Sequence, residues 1–119
     1  HVAVNLSPLD PTMTDGGTDG QLRSLSALMR AFGSGLVAGQ GTVITLVARP
    51  AAALALGGWG QIGALAAAND ALAQTFGARG LRFFTLTVPE GRPEAAIETV
   101  LFLASEAGRD LKGGRLDLG

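Results

Sequence analysis

Apolar runs that suit strands alternate with helix-like segments along the whole sequence, and this alternation limits the possible folds more than any other feature. The clearest runs are VAVNL (2–6), GTVITLV (41–47) and LRFFTLTV (81–88), and GGRLDLG (113–119) closes the chain. Short runs of β-branched and aromatic residues, bounded by glycine or proline, predict buried strands. The sequence therefore predicts four strands.

The segments between these runs favour helices. Helical periodicity is found in QLRSLSALMRAF (21–32), IGALAAANDALAQTF (62–76) and PEAAIETVLFLASEA (93–107), whereas ARPAAALALGG is compatible with a loop or a helical turn. Strands that alternate with helices form parallel sheets through right-handed crossovers. We therefore expect one domain over residues 1–119, of α/β class: a partial Rossmann-like, three-layer parallel sheet with four strands and with three helices on both faces.

Composition argues against several classes of function. The chain has no cysteine and its only histidine is His1, so metal sites built from thiolate or imidazole and a Ser-His-Asp triad are not expected. The net charge is −1 and the nine basic residues are scattered, which does not suit nucleic acid. No apolar run is long enough to span a membrane. HVAVNLSP is no signal peptide, so we expect a soluble, cytoplasmic protein, and the missing initial methionine indicates a fragment.

A G-x-G-x-x-G pattern stands at the expected start of the second helix. Its glycines are Gly58, Gly60 and Gly63. A dinucleotide-binding turn needs a strand before it and an acidic residue about 20 positions later. AAALALG is a poor strand, Trp59 would lie where the phosphates approach, and Glu90 is 27 residues beyond Gly63. We interpret the glycines as a helix start that packs tightly, with cofactor binding as the alternative.

The remaining candidates are expected in turns or on solvated surface. GSGLVAG (33–39) follows a helix and precedes a strand, the reverse of a phosphate loop, so it is predicted to be a helix C-cap and turn. Ser105 has no base to activate it, and Lys112 is interpreted as a turn cation, with an anchor for an anionic partner as the alternative. Charged residues at helical spacing, expected on a solvated face, are Glu94, Glu98, Glu106 and Arg109.

From Gly41 onward the landmarks resemble the C-terminal half of a short-chain dehydrogenase/reductase. GTVITLVA (41–48) resembles the strand that ends in the family's catalytic serine, and ALAAANDALAQTFGARGLRFFTLTVPEG (64–91) resembles its long helix, R-G turn and following strand. EAAIETVLFLASEAGRDLKGGRLDLG (94–119) resembles the last helix with its L-F-L-A-S signature and the closing strand. VAVNL matches the central strand before them.

The family's catalytic groups are missing at the positions that the resemblance implies. The serine falls at Ala48, the tyrosine that acts as general acid falls at Gly58, and the lysine that lowers its pKa falls at Ile62. The chain contains no tyrosine, so no shift of the alignment restores the acid. The family's cofactor-binding half has no counterpart, and the loop that covers the substrate is reduced to GRPE (91–94).

The resemblance implies a non-catalytic subunit or domain that stabilises an active partner. It is similar to the degenerate reductase-like domains that accompany some ketoacyl reductases and hydroxyacyl-CoA dehydrogenases. It implies no catalytic residue, no metal and no cofactor in this chain, with NAD or NADP in the partner. The expected assembly is a homo- or hetero-oligomer with a reductase-type subunit, formed through helices 21–32 and 63–76, strand RLDLG and the unpaired sheet edge, with no nucleic acid or membrane as partner.

Two alternatives remain open at this stage. The first is an NAD(P)-dependent oxidoreductase that acts on a ketone or hydroxyl, or on an acyl thioester, with its cofactor-binding half missing from this chain. The second is a small flavodoxin-like binding module. That module would need a phosphate loop after the first strand, where the sequence reads SPLDPTMTDGG.

Overall fold

A computed structural model describes residues 2–6, 17–38, 41–50, 56–77, 80–89 and 91–118. The strands are β1 Val2–Asn5, β2 Thr42–Arg49, β3 Arg82–Pro89 and β4 Gly113–Asp117, and the helices are α1 Gly17–Ala38, α2 Leu56–Phe76 and α3 Ile97–Ala104. Single 3₁₀ turns at Pro93–Ala96 and Glu106–Gly108 flank α3. The α/β, Rossmann-like prediction is confirmed.

The four strands form one parallel sheet in the order β1-β2-β3-β4. Strands β2 and β3 are paired over their full lengths, from Thr42 opposite Arg82 to Arg49 opposite Pro89. Both are buried along most of their lengths, which explains why their sequences are apolar on both faces instead of alternating. Strands β1 and β4 are the edges of the sheet.

Helices cover both faces of the sheet, and the apolar core is divided accordingly. On one face, here called the α1–α2 face, Val43 and Phe83 pack against α1 and α2, and Val47 packs against Ile62 and Leu65 of α2. On the other, here called the α3 face, the buried residues are Ile44, Leu46, Phe84, Leu86, Val88, Ala96 and Leu103. Successive residues of a strand therefore pack alternately on the α1–α2 face and on the α3 face.

The three crossovers do not share one hand. The chain advances across the sheet in a single direction, from β1 to β4, while α1 and α2 lie on one face and α3 lies on the other. A change of face without a change of direction reverses the hand of the connection. Because parallel crossovers are right-handed in about 98% of cases, the connection through α3 is the reversed one. The expectation of uniformly right-handed crossovers is wrong here.

Two predicted helix ends differ from the structure. Helix α1 continues through Gly33 and Gly35 to Ala38, so the prediction of a C-cap and turn at GSGLVAG is wrong over residues 33–38, and Gly39 lies outside the described residues. Glycine permits a helix to end but does not force it to. The helix predicted over 93–107 is shorter, because the backbone of Ser105 is extended (ψ 169°) and stops α3 at Ala104.

One guanidinium group holds the amino end of β3 to the end of α3. Arg82 Nη1 donates to the carbonyl oxygens of Gly108 (2.8 Å) and Leu111 (2.9 Å). Its Nη2 donates to Thr42 Oγ1 (2.7 Å) and to the carbonyl oxygen of Leu103 (2.9 Å). Carbonyl groups at a helix C-terminus carry partial negative charge, which a cation stabilises. Arg82 thus fixes where the chain returns to the sheet.

Replacing Arg82 with alanine is expected to lower the free energy of unfolding by about 3 kcal/mol, because two partly buried carbonyl groups and the Thr42 hydroxyl lose a charged donor together. Urea unfolding followed by circular dichroism measures this change. The matched control is Arg92→Ala: the Arg92 side chain is 70% exposed and lies 3.6 Å from Glu94, so its loss should change stability by less than about 0.5 kcal/mol. Equal effects of the two substitutions would contradict the role given to Arg82.

At the opposite end of the sheet, Asp117 connects β4 to β3. Its Oδ1 accepts hydrogen bonds from Thr87 Oγ1 (2.6 Å) and from Arg115 Nε (2.8 Å). These hydrogen bonds, with the nearby positive charge of Arg115, hold the pKa of Asp117 below its ordinary value of 3.8. The charged carboxylate is therefore the form that the folded state prefers.

Because the pKa of Asp117 is lower in the folded chain than in the unfolded one, its contribution is complete above pH 3.8 and disappears as the pH falls through the folded value. The side chain is 55% exposed, so solvent limits the effect. We expect Asp117→Asn to cost less than about 1 kcal/mol near neutral pH and less again near pH ~3, which lies below the ordinary pKa of 3.8. Urea unfolding at both pH values tests this. A loss that grows in acid would contradict it.

Candidate functional site

The candidate site lies where β2 ends and α2 begins. In open parallel α/β sheets, ligands bind at the carboxyl ends of the strands. All three positions at which the resemblance implies catalytic groups lie in this region or beside it. Ala48 is the next-to-last residue of β2 and pairs with Val88 of β3. Gly58 and Ile62 lie in the first turns of α2.

Ile62 is part of the apolar core. Its side chain is fully buried and packs in one cluster with Val47 and Leu65, with the half-buried Trp59 against it. A lysine ammonium at this place would have to leave water without a described carboxylate in the cluster to pair with it. This position therefore contributes packing. Ala48, whose register partner Val88 belongs to the core of the α3 face, lies on the opposite side of the sheet and adds no polar side chain.

Gly58 lies directly against the end of β2. A Cβ atom built on Gly58 would come within 2.7 Å of Pro50 Cγ, which is closer than carbon atoms approach in folded proteins. The proline ring cannot turn away as a flexible side chain could. The absence of a side chain at Gly58 thus lets α2 start close to the strand, as the tight-packing interpretation expects. A tyrosine at this position would not fit the present arrangement.

The G-x-G-x-x-G pattern lies entirely inside a helix. Helix α2 begins at Leu56, six residues earlier than the helix predicted from the sequence, so all three glycines are helical. None of the three has a positive φ. A Cβ at Gly60 or Gly63 would meet nothing within 4 Å, so these two glycines face open space. The pattern forms no strand-to-helix turn within the described residues; residues 51–55 lie outside them.

A row of buried polar side chains under α2 escaped the sequence analysis. Asn5, Thr45 and Thr85 are register partners across three strands, and all are at least 95% buried. Asn69 of α2 is also buried and donates from Nδ2 to Thr85 Oγ1 over 2.6 Å. Asn69 Oδ1 and Thr45 Oγ1 have no hydrogen-bond partner among the described residues. These polar residues are visible in the sequence, but a threonine within a β-branched run is usually interpreted as a strand-forming residue and not as part of a polar site.

The other sequence candidates lie apart from this region. Ser105 is exposed and its Oγ donates to the carbonyl oxygen of Phe102 (2.6 Å), so it caps the end of α3. Lys112 is exposed near the start of β4. The charged residues predicted on a solvated face are indeed exposed: Glu94, Glu98, Glu106 and Arg109. Among the described residues no three histidine, cysteine or acidic side chains come together as a metal site.

No helix in the described part of the chain is long and apolar enough to cross a membrane.

The glycines of α2 are expected to respond to alanine in opposite directions. Gly58→Ala should lower the free energy of unfolding by about 1 kcal/mol, since the clash with Pro50 outweighs the gain in helix propensity. Gly60→Ala and Gly63→Ala are the matched controls. Each should raise it by about 0.5–1 kcal/mol, because alanine loses less backbone entropy in a helix. Thermal and urea unfolding measure all three, and stabilisation by Gly58→Ala would refute the close contact.

Comparison with known proteins gives a clear result for the fold. No family model matches the sequence, and no curated protein matches it either. Among solved structures, the chain is similar to an oxidoreductase of the short-chain dehydrogenase/reductase family from Brucella ovis, determined in complex with a partially ordered NAD. The TM-score is 0.71 at 19% sequence identity, and the match covers 100% of this chain and 65% of that chain. The chain therefore has a short-chain-dehydrogenase-like fold and spans about two thirds of the length of this neighbour.

Proposed function

We propose that this chain is a non-catalytic domain or subunit that stabilises an NAD(P)-dependent reductase or dehydrogenase partner. The observation that supports this most directly is the state of the three catalytic positions implied by the resemblance. Ile62 is buried in the core, Gly58 is closed against Pro50, and Ala48 offers only a methyl group. These residues pack the end of β2 and leave no group to move a proton.

Proton transfer at a ketone or hydroxyl needs a positioned acid or base with a suitable pKa. Near the carboxyl ends of β3 and β4, Asp117 accepts hydrogen bonds from Thr87 and from Arg115. The lowered pKa of Asp117 makes it a poor proton donor. These contacts support a structural role for this edge of the sheet.

We further propose that this chain binds no cofactor and that NAD or NADP belongs to its partner. A pyrophosphate is held by backbone N–H groups at a turn between a strand and a helix. The only G-x-G-x-x-G of the sequence lies within α2, with two of its glycines facing open space. The Brucella ovis neighbour binds NAD with a chain of which about a third has no counterpart here.

The proposed assembly uses the helices of the α1–α2 face and the unpaired sheet edge, in a homo- or hetero-oligomer with a reductase-type subunit in the cytoplasm. A groove between the two helices, of about 530 Å³, is lined in part by Leu25 and Met29 of α1 and by Ala68 and Ala71 of α2. Small side chains on α2 allow another helix to approach closely. Neither nucleic acid nor membrane is a proposed partner.

Titration of the isolated chain with NADH and with NADPH tests the proposal. Trp59 is the only tryptophan and lies beside the glycines of α2, so its fluorescence reports directly on this site. We expect no heat of binding and, after correction for the light that the nucleotides absorb, no change in Trp59 emission up to about 1 mM nucleotide, the upper end of the usual range of such constants. An active dehydrogenase with a nicotinamide site is the positive control.

Micromolar binding that quenches Trp59 would overturn the proposal. It would favour instead an oxidoreductase whose missing half completes a working site. Gly63→Ala distinguishes a specific site from a weak surface effect: if the glycines contact the nucleotide, the added methyl group weakens binding, whereas it has no steric consequence for the free chain.

A further inference from the structure

The glycines of α2 are concentrated at its beginning. Glycine occupies positions 57, 58, 60 and 63, whereas the helix from Ala64 to its end at Phe76 contains none and is rich in alanine. Each glycine in a helix interior makes the helical form about 4- to 5-fold less favourable than alanine does. The first turn also lacks an acidic side chain to offset the positive end of the helix dipole. The beginning of α2 therefore has a weaker intrinsic preference for the helix than the remainder.

Few tertiary contacts hold residues 56–61, here called the α2 start. Leu56 is 74% exposed, and a Cβ on Gly60 would meet nothing within 4 Å. Trp59 packs against the core cluster around Ile62, but it is only half-buried. Gly58 lies against Pro50 and contributes no side chain to the contact. Local unfolding is easiest where buried apolar contacts are few, and the α2 start meets this condition.

The helix beyond this segment is fixed to the sheet. Ile62 is fully buried in one core cluster with Val47 of β2. Two turns further, Asn69 donates its buried hydrogen bond to Thr85 of β3. Unwinding past residue 61 would expose the side chain of Ile62 to water, which is far less favourable than freeing the residues before it. The burial of Ile62 thus sets a boundary between the α2 start and the rest of the helix.

We propose that the α2 start is a local order–disorder element. It exchanges between a helical form and an unwound form, while residues 62–76 remain helical in both. The unwound form is populated at about 0.1–10%, the range in which minor conformations of proteins commonly occur. Residues 51–55 lie outside the described residues, and both ends of the proposed element lie within them.

Unwinding changes the surface at the carboxyl end of β2. In the helical form Trp59 covers part of the cluster formed by Val47, Ile62 and Leu65. In the unwound form its side chain leaves the cluster, and apolar surface at this edge becomes accessible to water. A partner or ligand that binds one of the two forms more tightly shifts the segment towards that form. The α2 start thus couples binding at this edge of the sheet to the order of the helix.

Hydrogen exchange of the full chain, followed by NMR over a series of low urea concentrations, tests this proposal. The backbone amides of Gln61 and Ile62 are the reporters, because their helical acceptors lie four residues earlier, within the α2 start. We expect protection factors of about 10–1,000 at these two amides, with little dependence on urea. The amides of Leu72 and Ala73, in the part that stays helical, should be better protected by about 10-fold or more.

Substitutions at two glycines separate local opening from global opening. Gly60→Ala lies within the α2 start and should slow exchange at Gln61 and Ile62 by about 4- to 5-fold. Gly63→Ala is the matched control: residue 63 is helical in both forms, so exchange at these two amides should stay unchanged although global stability rises. Trp59→Ala removes the side chain that packs on the core cluster and should speed the same exchange by about 10-fold.

Equal slowing by Gly60→Ala and Gly63→Ala would overturn the proposal, because residues 56–61 would then open only together with the rest of α2. Protection of Gln61 equal to that of Leu72 would overturn it for the same reason. Exchange of Gln61 at the rate of an unfolded chain would also overturn it, since the segment would then have no helical form. Nucleotide binding by the isolated chain would contradict the proposed function instead, whatever the exchange measurement shows.

Discussion

The guanidinium of Arg82 is the interaction on which the unusual part of the fold depends. Between β3 and β4 the chain crosses to the opposite face, forms a short helix and returns through a turn that must pack tightly. Gly108 allows this approach, because a Cβ there would collide with the carbonyl oxygen of Phe102. The turn and the helix end present carbonyls to the same side chain, and Arg82 binds them while also binding Thr42 of β2. The reversed crossover is thereby tied to the two central strands.

At the other end of the sheet, apolar packing holds two of the positions at which the resemblance implies catalytic groups. The end of β2 and the start of α2 are held by apolar contacts of Ile62 and by the close approach of Gly58 to Pro50. Reactive groups in an active site are commonly strained or incompletely satisfied, at a cost in stability. Apolar side chains at these positions remove that cost. A domain that only stabilises a partner gains stability when apolar side chains stand in place of reactive groups, which is consistent with the role proposed for the chain.

Much of the architecture could be predicted from the sequence, because the β-branched runs of β2 and β3 and the periodicity of the helices are local signals. The early start of α2 at Leu56 was not predicted, since glycine-rich sequence is usually read as a turn. The role of Arg82 was also missed, because the partners of a cation at a strand end are up to 40 residues away. For the candidate site, the positions Ala48, Gly58 and Ile62 were chosen from the sequence resemblance, whereas the contact between Gly58 and Pro50 depends on how helix and strand pack.

The buried pair of Asn69 and Thr85 has a consequence for the precision of α2. The side of α2 that faces the sheet is otherwise apolar, with Ile62, Leu65 and Leu72 in the core, and apolar contacts are non-directional and do not by themselves select one alignment. The hydrogen bond of 2.6 Å forms in only one alignment, and any other would bury the amide group of Asn69 without its partner. The polar contact thus fixes the alignment of α2 on the sheet, and with it the direction in which the exposed side of the helix faces.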